Sequence, residues 1–100
     1  MNGLHTIIKF SETDKWLVIS EKEIDGAKYS YLVKINKEEN EIIDEYKVVR
    51  CYSLNGEEYM DDVNDKELLN KIIPILIPEV NEYIQNPEKL KEILKENTSN

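Results

Sequence analysis

The sequence predicts an α+β domain: an antiparallel sheet of four or five strands, made from two hairpins, followed by two or three C-terminal helices. Three observations predict it. Strand-forming runs flank Asp25-Gly26, and others flank Asn55-Gly56. Both dipeptides suit a two-residue type I′ turn, which needs positive φ at both central positions. Beyond residue 64 the apolar spacing becomes helical, through Leu69, Ile72, Ile73, Leu76, Val80, Tyr83 and Ile84.

The 100 residues fit one domain, 1–100, with 1–5 and 96–100 expected to fray. "TIIKF", residues 6–10, reads as a short strand, and residues 11–14 as a turn. "KWLVISEKEI" and "AKYSYLVKI" form the first hairpin. A two-residue loop pairs Ile24 with Ala27, Glu23 with Lys28, Ser20 with Tyr31, Ile19 with Leu32, Val18 with Val33 and Trp16 with Ile35. Trp16, Val18, Ser20, Tyr31, Val33 and Ile35 then share one face, the expected core face.

"NKEEN", residues 36–40, is a polar connection. "EIIDEYKVVRCYSL" returns as a strand or a bent pair, and the Asn55-Gly56 turn sets Tyr52 opposite Tyr59, Cys51 opposite Met60 and Arg50 opposite Asp61. A helix follows. With Asn64 as N-cap, Glu67 completes a capping box, and Val63 with Leu68 forms a hydrophobic staple. Pro74 and Pro78 lie inside the helical pattern, and an interior proline costs about 3 kcal/mol. A kink or break is therefore expected within residues 73–78. Asn86 followed by Pro87 opens the last helix, which presents Leu90, Ile93 and Leu94.

The net charge of −8 is concentrated. Residues 38–67 hold eleven acids against three bases, which accounts for the whole imbalance. Such a field repels nucleic-acid and membrane phosphates and attracts basic partners. With one arginine, Arg50, and scattered lysines, direct nucleic-acid binding is not expected. Five tyrosines, Tyr29, Tyr31, Tyr46, Tyr52 and Tyr59, fall in expected strands and read as cross-strand packing. No apolar run reaches the length of a membrane span, and no secretory signal opens the chain. A single cysteine, Cys51, fits a reducing cytoplasm.

Catalytic chemistry finds little support. Calcium loops starting at Asp61 or Asp62 meet Val63 at position 3 or Lys66 at position 5, and neither has glycine at position 6. His5 and Cys51 are the only residues of their type, too few for a zinc site, and His5 reads as exposed near the terminus. No phosphate-cradling glycine loop is present. The expectation is a non-enzyme without cofactor or metal.

The acidic stretch carries the functional expectation: a module that docks onto a basic protein surface, such as the nucleic-acid groove of a host protein. Its contact residues are Glu38, Glu39, Glu41, Asp44, Glu45, Glu57, Glu58, Asp61 and Asp62, acting as phosphate surrogates, while Asp65 and Glu67 serve the helix start. The competing expectation is self-association through the apolar helix "IIPILIP", with Ile75 and Ile77 exposed at a homodimer interface. Monomer and homodimer both remain open.

"VISEKEIDGAKYSYLVKIN" (18–36) followed by "VNDKELLNKI" (63–72) resembles a pattern in small uncharacterised acidic proteins of Firmicute bacteria, their phages and mobile elements. Those proteins share a strand ending in Ser-Glu, a Gly turn, a Tyr-rich return strand and a Thr/Asn-Asp-x-Glu helix start. The resemblance spans about a third of the chain. The chain departs from it in residues 37–62 and in the two prolines. The resemblance carries over no functional residues. It implies a phage or mobile-element accessory protein, of which an anti-defence or anti-CRISPR inhibitor is one instance.

Overall fold

The computed structural model describes residues 4–98, apart from the side chains of Ile84, Asn97 and Thr98. Fraying expected at residues 1–3 and 99–100 concerns positions outside the described residues. Five strands, β1 (Ile7–Lys9), β2 (Lys15–Ile24), β3 (Ala27–Ile35), β4 (Ile42–Leu54) and β5 (Glu57–Asp62), precede two helices, α1 (Lys66–Gln85) and α2 (Pro87–Thr98). The strands form one antiparallel meander in the order β1-β2-β3-β4-β5.

Both short turns have the backbone their sequences demand. Asp25 and Gly26 sit at φ 51° and 81°, and Asn55 and Gly56 at 55° and 81°. The first hairpin keeps the expected register from Ile24↔Ala27 to Ser20↔Tyr31. There a β-bulge intervenes. Beyond it Val18 faces Leu32, Leu17 faces Val33, Trp16 faces Lys34 and Lys15 faces Ile35. The extra residue moves the rest of β2 by one position and so flips its faces.

The expected core face is therefore divided. Tyr31 and Ile35 join Leu17 and Ile19 in the core beneath the helices, with Val33 packed against it. Ser20 Oγ donates to the Leu76 carbonyl of α1 at 3.1 Å. Trp16 and Val18 lie on the other face with Ile8, Leu32 and Val49. The bulge escapes a reading by alternation because Lys15 through Ser20 are all buried, so no polar position marks the slip.

The helix-side core closes on Ile72, Leu76, Val80 and Tyr83 of α1 and on Leu90 and Leu94 of α2. The opposite face is concave. The sheet curls until Ile8 of β1 shares a cluster with Cys51 and Met60.

Four local expectations are corrected. The N-cap of α1 is Asp65, not Asn64: its carboxylate accepts the Glu67 amide at 3.0 Å. Val63 N–H still donates to the Val48 carbonyl at 2.9 Å, so the chain stays extended and turns later. The capping box is lost, although Val63 and Leu68 both still pack on the core. Secondly, α1 is continuous through Pro74 and Pro78. Both prolines are exposed, as is Asn70. The carbonyls of Asn70 and Pro74, which lose their donors to the prolines, thus lie on the watered side. Thirdly, His5 is neither frayed nor freely exposed. Its amide donates to the Val18 carbonyl at 2.8 Å, and its ring meets Tyr83 edge-on, Nε2 against the hydroxyl. At the other end α2 runs on to Thr98, past the expected fraying point at residue 96.

Candidate functional site

The outer hairpin is where charge and exposure coincide. At thirteen residues β4 outruns its partner β3: their register ends at Lys28↔Cys51, and Tyr52, Ser53 and Leu54 continue past it. β5 is the edge strand, with β4 as its sheet neighbour. Four of its six residues, Glu57, Glu58, Asp61 and Asp62, are exposed carboxylates. Strand alternation distributes them over two faces. Glu57 and Asp61 share the helix-side face with Tyr59, while Glu58 and Asp62 flank Met60 on the concave side.

The helices do not cover the outer part of the sheet. Tyr46 and Leu54 keep 61% and 56% of their surface exposed, and Tyr52 and Tyr59 are exposed as well. Tyr52 and Tyr59 face one another in the expected register and stack with centroids 5.5 Å apart. The Tyr59 hydroxyl donates to Glu57 Oε2 at 2.8 Å, and the Asp61 carboxylate lies beside the Tyr52 hydroxyl. Each neighbouring carboxylate raises its phenol above the ordinary value. Arg50 lies opposite Asp61 and 6.0 Å from the Tyr52 ring. Further in, Tyr31 stacks on Tyr46 at 5.2 Å, and burial with the Tyr46 neighbour pushes the Tyr31 phenol up to about 12. Cross-strand packing was legible for these rings; their exposure was not. "EEYMDD" contains the signal, because only one strongly apolar residue, Met60, could seek a core.

The other predicted contact residues do not join β5. Glu38, Glu39 and Glu41 lie in the β3–β4 connection, separated from the Asn55-Gly56 turn by the length of β4. Glu38, Glu41 and Asp44 are exposed. Glu39 is drawn inward: Lys15 Nζ lies 2.7 Å from its Oε2 and also donates to the Lys37 carbonyl at 2.8 Å. The Lys15 hydrogen bond holds the Glu39 carboxyl below its usual range. Glu45 reaches Lys34 at 4.0 Å, and Asp62 reaches Lys47 at 3.3 Å. The residues brought together are thus Glu57, Glu58, Asp61 and Asp62, with Tyr52 and Tyr59 added. Of the self-association pair, Ile75 is exposed and Ile77 half-buried.

The concave side holds a groove of about 560 Å³ lined by Ile8, Phe10, Cys51 and Met60. Its charged lining, Lys9, Lys28 and Arg50 with Glu23 and Glu58, sets no clear preference of sign. Lys28 is tied to Glu21 at 3.0 Å. Burial pushes the Cys51 thiol up, away from the thiolate a nucleophile needs. Its sulfur lies 3.9 Å from Ser30 Oγ, while His5 is at Tyr83 under the helices, so the two do not form a catalytic pair. Among the described residues, no three His, Cys, Asp or Glu side chains are grouped to hold a metal ion. No described helix is long and apolar enough to cross a membrane. No family model matches the chain, and neither a curated protein nor a solved structure matches it.

Proposed function

We propose that this protein is a non-enzymatic binding module whose β5 edge docks onto a basic surface of another protein. One observation carries the reading: a regular edge strand exposes four carboxylates in six residues beside an uncovered pair of stacked tyrosines. Carboxylates so spaced can stand in for phosphates and compete for the same lysines and arginines. Glu38, Glu41, Asp44 and the exposed Glu45 add to the long-range field, while Glu39 chiefly serves Lys15. The partner class is a host protein with a basic nucleic-acid groove. Set beside the resemblance to phage and mobile-element proteins, this makes the module an inhibitor of anti-defence or anti-CRISPR type, acting in the cytoplasm.

Replacing Glu57, Glu58, Asp61 and Asp62 by lysine tests the reading. Capture of the partner is abolished while far-UV circular dichroism is unchanged. Retained capture by the folded variant overturns it. The alternative, self-association through α1, has the exposed Ile75 in its favour. Light scattering at high concentration that shows only monomer removes it.

A further inference from the structure

We propose that β5 engages its partner by strand addition: an extended segment rich in lysine and arginine pairs along Glu57–Asp62 as a sixth strand. The proposal rests on the docking reading and names the form the partner takes.

The backbone favours it. In a two-residue hairpin, Leu54 and Glu57 exchange both hydrogen bonds, so Tyr59 and Asp61 also bond inward to β4. The Val63 amide, bonded to the Val48 carbonyl at 2.9 Å, continues that alternation. Met60 and Asp62 therefore turn their N–H and C=O groups to the outer side. Edge strands are commonly blunted by charged side chains, proline or a bulge, and the device β5 carries is negative charge, which a cationic strand neutralises. β5 contains neither proline nor lysine, and its six-residue register with β4 is unbroken.

Charge selects the occupant. A second copy pairing antiparallel about Met60, so that outward backbone groups meet, would set Glu58 of each strand against Asp62 of the other. Like charges directly opposite are destabilising, so the edge rejects its own copy. A neutral strand gains nothing from the negative field of β5. A cationic strand answers them on both faces, and the Tyr52–Tyr59 rings offer a face for its side chains.

The test is titration of the full chain with a short peptide of alternating lysine and threonine. A second peptide has the same sequence with every internal amide N-methylated. The unmodified peptide binds at low salt, slows amide exchange at Met60 and Asp62, and the methylated one does not bind. Asp62→Pro, which removes an outward donor but leaves the β4 ladder intact, weakens binding about tenfold relative to Asp62→Ala. Equal binding of both peptides overturns strand addition while leaving the docking reading standing. Binding of neither overturns both.

Discussion

Neutralising β5 should turn a guarded edge into a sticky one. The perturbation is Glu57→Gln, Glu58→Gln, Asp61→Asn and Asp62→Asn together, which removes charge and keeps shape. In the antiparallel pairing of two β5 strands about Met60, the contact 58:62 occurs twice, giving two directly opposed like-charge pairs. At ~0.2–1 kcal/mol per pair, the charge opposes pairing by about 0.4–2 kcal/mol. That is roughly a 2- to 30-fold difference in the dimerisation constant. The fold should survive, because all four side chains are exposed and the Asp62–Lys47 ion pair lies at the surface of the sheet. That lysine also sits 4.2 Å from the Phe10 ring and 4.7 Å from Trp16. Sedimentation equilibrium at about 0.1 M salt would measure both proteins. The variant should associate and the parent remain monomeric. Raising salt to about 1 M, where screening shortens to about 3 Å, should bring the parent toward the variant. A neutralised variant that associates no more than the parent would refute the idea that charge alone guards this edge.

Replacing Pro78 by alanine should stabilise the protein by about 2 kcal/mol in urea unfolding: alanine is favoured in a helix by about 3 kcal/mol, less ~0.4–1 kcal/mol for the freer unfolded chain. A loss of stability would show that the proline shapes the packing of α1. Because Lys15 depresses the Glu39 carboxyl in the folded state, their pairing contributes stability above the unfolded carboxyl value and loses it as pH falls through the folded one. Glu39→Gln should therefore cost stability near neutral pH and flatten its decline below the ordinary glutamate range; parallel acid curves would contradict this. Cys51 should react with a disulfide reagent at pH 8 much more slowly in the folded than in the urea-unfolded chain, since burial raises its thiol. Equal rates would mean that the thiol is open to solvent.

Much of the architecture was legible because turn chemistry is local. Asp25-Gly26 and Asn55-Gly56 set two hairpin registers, and the paired rings of Tyr52 and Tyr59 followed directly. What escaped depends on contacts distant in sequence. The bulge in β2 leaves Ile19 and Ser20 both toward the helices, where the Leu76 carbonyl receives the serine hydroxyl. Nothing near Ser20 in the chain announces that partner. Pro74 and Pro78 read as helix breakers, yet a spacing of four places both on the side away from Ile72, Leu76 and Val80. Tertiary packing of that apolar face outweighs the propensity cost.

For the acidic stretch, sequence located the charge but not its division. A strand's alternation sends Glu57 and Asp61 one way and Glu58 and Asp62 the other, and the length of β4 removes Glu38, Glu39 and Glu41 to the far end of the sheet. Glu39 and Lys15 are 24 positions apart, a pairing fixed by the strands between them. The uncovered tyrosine face depends on where two helices come to rest on five strands, and that is a property of the whole fold.

The central claim is that β5 occupies a surface built for nucleic acid. Its most direct test is to capture the partner from host extract at low ionic strength, identify it by mass spectrometry, and challenge the purified complex with duplex DNA and with RNA. Displacement of this protein by one of those competitors, together with loss of the complex at moderate salt, is the expected result. A complex that neither nucleic acid nor salt disturbs would contradict the account.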